Sequence, residues 1–148
     1  MQPAPDFNLL DQSGQAHQLT DYRDRWLIIY FYPRDNTPGC TREACLFRDN
    51  LADFDQLNCH ILGINPGNPD KHQQFAEHHR LNFPLLADHQ GRVAKAYGAL
   101  ISLGPIKITK RHTFIINPRG EIAKQYRRVN VGLQNEILLR DLKKLQQE

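Results

Sequence analysis

Apolar residues in this chain fall into short blocks whose spacing changes from continuous to helical and back. The densest block, Trp26 to Tyr32, is an unbroken apolar and aromatic run that stops at Pro33, the pattern of a strand buried on both faces. From Cys40 to about Leu57, Ala44, Phe47, Leu51 and Phe54 recur at steps of three and four with charges between them, which predicts an amphipathic helix. Cys59 to Asn65 reads as a second buried strand, and Pro69 to Arg80 as a second helix with proline in its first turn. Leu85 to Ala87 is a third strand and Gly91 to Tyr97 a short helix. A loop through Gly104 and Pro105 then leads to a hairpin, Thr113 to Ile116 and Glu121 to Tyr126, turning at Asn117 to Gly120. Leu133, Ile137, Leu138, Leu142 and Leu145 mark a closing helix over Leu133 to Leu145. Upstream, Phe7 to Leu10 and Ala16 to Leu19, joined by a turn at Asp11 to Gly14, predict an N-terminal hairpin. Strands alternating with helices and ending in a hairpin imply an α/β fold, a mixed sheet with helices on both faces.

Composition narrows the picture. A chain of 148 residues, 40% hydrophobic, suits one domain spanning residues 1–148 around one core. The first residues lack a positive segment followed by an apolar run, and Trp26 to Tyr32 is far shorter than the roughly 20 residues needed to span a bilayer. A cytoplasmic protein without membrane association is expected. The formal charge is +3, and the basic residues cluster only at Lys110/Arg111, Arg127/Arg128 and Lys143/Lys144, so no nucleic-acid partner is expected. Seven histidines read as solvated surface, His78 and His79 lying on a helix expected to be exposed.

Three cysteines in a chain of this kind raise the question of redox chemistry. Cys40 stands where a buried strand has ended and a helix begins. Unpaired N–H groups and the helix dipole favour negative charge there, so a thiolate at Cys40 should be stabilised. Pro38 and Gly39 fit a tight approach to the helix, and Thr37 offers a hydroxyl close to the thiol. On position alone, Cys40 reads as a structural cysteine as readily as a reactive one, and Cys45 as a residue packed in its helix. In an intact helix their α-carbons would be roughly 8 to 9 Å apart, whereas a disulfide needs about 7 Å or less. A reacting pair would therefore require the first turn or two to unwind. Cys59, within a strand-like run, reads as an inert buried thiol.

Pro33, Thr37 and Cys40 match the Pro-x-x-x-Thr-x-x-Cys signature of the peroxiredoxins, and Thr37-Pro-Gly-Cys40-Thr followed by Cys45 resembles the Q-type subfamily, the bacterioferritin comigratory proteins. Ala4-Pro-Asp-Phe7, Phe83-Pro-Leu-Leu-Ala-Asp88 and Arg111-His-Thr-Phe-Ile-Ile-Asn117 extend the likeness over nearly the whole chain. The resemblance implies a thioredoxin-like fold and a thiol peroxidase acting on hydrogen peroxide and organic hydroperoxides in antioxidant defence. It implies Cys40 as peroxidatic cysteine, Cys45 as resolving cysteine, Thr37 and Arg111 as active-site partners, and Pro33 as a shield against water. It further implies thioredoxin or a related dithiol as reductant, a monomer, and no metal, flavin or haem. Family members often carry Ser and then Asp where this chain has Asn65-Pro-Gly-Asn-Pro69, which leaves the shape of that loop open.

A thiol of pKa about 8.5 is already a few per cent ionised at pH 7, so complete ionisation gains only about 30-fold in rate. The rest must come from orienting the peroxide and stabilising charge as the O–O bond breaks, a task for Thr37, Arg111 and the Cys40 N–H. Among rival readings, a thioredoxin-like oxidoreductase normally carries Cys-x-x-Cys, and a zinc module a different ligand spacing. A redox-sensing or chaperone-like protein, whose helix opens on oxidation of Cys40, is the third.

Overall fold

The computed structural model describes residues 2–148. Its strands are β1 (Gln2–Pro3), β2 (Asn8–Leu10), β3 (Ala16–Gln18), β4 (Trp26–Phe31), β5 (Cys59–Asn65), β6 (Leu85–Ala87), β7 (Leu100–Leu103), β8 (Ile106–Thr109), β9 (Thr113–Ile116) and β10 (Glu121–Tyr126). Its α-helices are α1 (Pro38–Gln56), α2 (Pro69–His78), α3 (Arg92–Ala96) and α4 (Gln134–Gln146). Six strands form one sheet in the order β1-β10-β9-β4-β5-β6, while β2-β3 and β7-β8 are separate hairpins. β4 runs parallel to β5, pairing Trp26 with Cys59 through Phe31 with Ile64, and antiparallel to β9, pairing Leu27 with Ile116 and Tyr30 with Thr113. The sheet is therefore mixed.

Because side chains alternate across a strand, the continuous apolar run of β4 serves two cores. Ile28, Tyr30 and Tyr32 pack on one side with Phe47 and Phe54 of α1, Phe75 of α2, and Leu138 and Leu142 of α4. Leu27, Ile29 and Phe31 pack on the other with Val93 and Ala94 of α3, Tyr97, Ala4, Phe7 and Leu19. Each Leu, Ile, Val or Phe side chain among them, once fully buried, contributes roughly 1.5–3 kcal/mol. Helices thus cover both faces, and the N-terminal hairpin forms as β2 and β3.

Several boundaries shift by a residue or two from the sequence expectation, and three differences have a clear physical cause. α1 begins at Pro38 rather than Cys40, with Pro38 occupying the first helical position after the extended Thr37, so Cys40 lies inside the first turn. α2 ends at His78 instead of Arg80, whose φ of 51° is incompatible with a right-handed helix. The expected loop through Gly104 and Pro105 is the hairpin β7-β8, with Gly104 at φ +62° in its turn. Its aliphatic residues Leu103 and Ile106 are exposed, so the polar alternation that announces a half-buried strand is absent. Among the described residues, no helix is long and apolar enough to cross a membrane.

Candidate active site

The end of β4 delivers the chain to the site. After Tyr32 and Pro33 it reverses through Asn36, at φ 63°, and Thr37 enters α1 in an extended conformation. The Thr37 carbonyl accepts the first helical hydrogen bond, from the Thr41 N–H at 2.9 Å. The Thr37 hydroxyl donates to the Arg34 carbonyl at 3.1 Å and does not cap the helix. It thereby braces the loop, and the first-turn amides of Gly39 and Cys40 have no intrahelical acceptor. Pro33 is half-buried and lines an open cavity with Arg34, Asp35, Asn65 and Lys71.

Cys40 is buried at 1% exposure. Arg111, two residues ahead of β9, reaches across to it, and its Nη2 donates to Cys40 Sγ at 3.3 Å. Gly39 leaves room for the approach, since a Cβ there would stand 3.2 Å from the same Nη2, tighter than an ordinary van der Waals contact. The other prong, Nη1, donates to Glu43 Oε1 at 2.6 Å. Glu43 follows Cys40 by three residues on α1, hence on the same helix face, and its side chain is wholly buried. Its second oxygen, Oε2, accepts from Gln134 Nε2 at 2.7 Å, and Gln134 Oε1 accepts from the Thr113 hydroxyl at 2.6 Å. Burial pushes the Glu43 carboxyl up, while Arg111 and Gln134 pull against that rise. For Arg111 burial opposes the charge, and Glu43 and Cys40 outweigh it to raise its pKa.

A second polar cluster anchors the loop. Asp35 accepts from the Tyr32 hydroxyl at 2.8 Å and from Asn65 Nδ2 at 3.4 Å, and its Oδ2 lies 2.7 Å from His72 Nδ1. His72 is therefore a fully buried partner of the active-site loop and not the surface histidine expected from sequence, and His112 is buried as well. The Asn65 side chain accepts from the Gly67 N–H at 2.9 Å, and a Cβ at Gly67 would stand 2.9 Å from His72 Cε1. Those contacts define the Asn65–Pro69 loop. Tyr30 stacks on Phe47 and Tyr32 beside the site, its hydroxyl buried with no hydrogen-bond partner among the described residues. Burial, followed by Glu43 and Cys40, raises its pKa well above the ordinary value and keeps it protonated.

All three cysteines are free thiols. Cys45 is half-buried on α1, which runs without interruption from Pro38 to Gln56. Cys59 opens β5, and burial raises its thiol pKa strongly. The structure thus brings Cys40 and Arg111 together and keeps Cys45 on the same helix, with Thr37 and Pro33 in the adjoining loop. Sequence reasoning missed Glu43, Gln134, Asp35 and His72. Two left a trace: Glu43 is a charge on the apolar face of α1, and Gln134 is a polar residue on the stripe of Leu138 and Leu142.

Residues 1–125 match the AhpC/TSA family. The chain is 38% identical over 140 residues to peroxiredoxin Bcp of Bacillus subtilis, covering 88% of this chain and 85% of that protein. Its structure superposes on the crystal structure of peroxidoxin BcpB from Mycobacterium tuberculosis with a TM-score of 0.90 and 32% identity, over 96% of this chain and 94% of that one. A structure of Xanthomonas campestris bacterioferritin comigratory protein, studied for alkyl peroxide reduction, gives a TM-score of 0.88 and 29% identity over 93% and 90%. A buried thiol under an arginine at the start of a helix, on a sheet shared with these proteins, leads to one assignment: the chain belongs to the AhpC/TSA family of peroxiredoxins and is a thiol-dependent peroxidase with a thioredoxin-like fold.

Proposed function

We propose that Cys40 is the peroxidatic cysteine and Cys45 the resolving one, in a cycle reducing hydrogen peroxide and organic hydroperoxides. The Cys40 thiolate attacks one peroxide oxygen. The O–O bond breaks, the leaving oxygen takes a proton and departs as water or an alcohol, and Cys40 becomes a sulfenic acid. The Cys45 thiol then attacks that sulfur, water leaves, and a disulfide joins the two residues. A dithiol donor, thioredoxin or a related protein, restores both thiols by exchange and is itself oxidised.

The observation that carries this reading is the 3.3 Å bond from Arg111 to Cys40 Sγ, in a site where the same guanidinium is fixed by a buried carboxylate. Arg111 supplies charge where the leaving oxygen becomes negative, and the first-turn amides of α1 add oriented donors. Thr37 and Pro33 shape the loop over the thiol. Since Cys40 and Cys45 belong to one helix, the cycle needs no second subunit, in keeping with a monomer, and residues 1–148 act as one cytoplasmic unit in antioxidant defence.

The test is to treat fully reduced protein with one equivalent of hydrogen peroxide, alkylate it in denaturant and map the cysteines by mass spectrometry. A Cys40–Cys45 disulfide with Cys59 alkylated is expected. Sulfinic acid at Cys40 without bridging would remove the role given to Cys45, and three unmodified thiols would overturn the cycle.

A further inference from the structure

We infer that Gln134, the first residue of the C-terminal helix α4, is a positioning residue for peroxide reduction: it keeps Glu43 ionised and aimed at Arg111, so that Arg111 stays on Cys40. The inference rests on the peroxidase reading above and extends it to a residue far along the chain.

Glu43 has no water-exposed surface on its side chain, so each of its oxygens needs a donor or the carboxyl will tend to take a proton. Arg111 serves Oε1 and Gln134 serves Oε2. The direction of the amide is fixed by chemistry. A carboxylate only accepts, so Gln134 must turn its NH₂ towards Glu43, and the Thr113 hydroxyl, donating to the Gln134 carbonyl, holds it in that sense. Thr113 itself is fully buried in β9. The result is a connected set of bonds that joins β9, α4 and α1 at the thiol: Thr113 donates to Gln134, Gln134 and Arg111 both donate to Glu43, and Arg111 donates to Cys40. If Glu43 became neutral, Arg111 would lose its counter-charge on one side, and the guanidinium, partly exposed, would be free to swing to solvent.

The experiment compares native protein, Gln134→Met and Gln134→Glu in two readouts: the pH profile of kcat/KM for hydrogen peroxide, and the NMR titration of the Glu43 side-chain carboxyl carbon. Gln134→Met removes the donor, so Glu43 should titrate at higher pH than in native protein. Its kcat/KM should fall about tenfold at mildly acidic pH and recover as pH rises and Glu43 ionises, the loss of a hydrogen bond to a charged group being of that order. Gln134→Glu should show the opposite slope. At low pH the introduced carboxyl is protonated and can still donate to Glu43, so activity approaches native. It then falls as the pair loses its shared proton.

Opposite slopes in the two variants support the inference. A pH-independent loss in both, as from disturbed packing, would overturn it, as would a Glu43 titration identical in native protein and Gln134→Met. Should Gln134→Met fail to fold by circular dichroism, Gln134→Glu and Thr113→Val carry the same comparison. Native protein without peroxide turnover would sink the peroxidase reading alone, because the Glu43 titration is measured without turnover.

Discussion

Arg111 divides its guanidinium between two groups three residues apart on α1: one prong meets Glu43 at 2.6 Å and the other meets Cys40 at 3.3 Å. A planar fork can hold both contacts at once because its donors are fixed relative to each other. A lysine offers one compact ammonium and cannot span them. Arg111→Lys is therefore expected to retain the fold while losing about 100-fold in kcat/KM for peroxide, the usual scale for removing an oriented charge at a developing oxyanion. Arg111→Met should in addition lower stability by about 3–5 kcal/mol, since it leaves Glu43 buried without a counter-charge. Steady-state kinetics and urea unfolding check the two statements separately. Equal activity in Arg111→Lys would show that the fork geometry is unimportant.

The His72–Asp35 contact predicts a loop defect at a distance from the thiol. Asp35 ties the segment that follows β4 to Tyr32, Asn65 and α2, and His72 is its most buried partner. His72→Ala opens a cavity beneath Gly67 and strips one bond from a largely buried carboxylate, for a cost of about 2–3 kcal/mol. Turnover should fall along with stability, because the same loop carries Pro33 and Thr37. Hydrogen exchange should quicken at residues 33–37 in the variant, and unchanged exchange there would show that the loop is held by other means.

These two clusters also mark what could be read from sequence. The strands β4, β5, β6, β9 and β10 were legible because their apolar runs are continuous or bounded by clear turns; Cys40 stood out by its place between a strand and a helix, whereas Arg111 looked like a surface arginine and was singled out only by the resemblance to the peroxiredoxins. Glu43 and Gln134 lie in apolar helix stripes, where a polar residue signals a buried partner without saying which one. His72 looked like any other helix histidine, since its partner Asp35 is 37 residues away and only the packing of α2 against the loop brings them together. The β7-β8 hairpin escaped notice for a different reason, its apolar side chains being turned to solvent.

Cys59 gives a prediction with a definite sign in pH. Burial lifts its thiol well above the ordinary value, and Asp55 adds to the rise. A group whose pKa is higher in the folded state stabilises the fold fully below its unfolded pKa and loses that contribution as pH rises. Between pH 9 and 11, unfolding free energy should therefore decline, by up to about 1.4 kcal/mol per pH unit for this one group. Tyr30 and Tyr32 are raised in the same direction and add to the decline. Cys59→Val should flatten the alkaline limb without abolishing it. A limb unchanged by the substitution would mean that Cys59 ionises as readily in the folded protein as in the unfolded chain.

The last prediction concerns α1 itself. Cys40 and Cys45 lie five residues apart on a continuous helix, a spacing that puts their α-carbons roughly 8 to 9 Å from each other, beyond the reach of a disulfide. Bridging them must therefore break helical hydrogen bonds in the first turns, and it must also draw Cys40 Sγ away from Arg111. Oxidation is thus expected to abolish amide protection over residues 38–46 while leaving Ala52–Gln56 and β4 protected, because Phe47 and Phe54 stay anchored under the sheet. The oxidised protein should unfold at lower temperature than the reduced form, even though a cross-link has been added, since the loop it closes is short and the Glu43–Arg111 cluster loses its seat. Hydrogen exchange and calorimetry on both redox forms test this. An oxidised protein with α1 fully protected would require Cys40 to bridge to a thiol outside this helix.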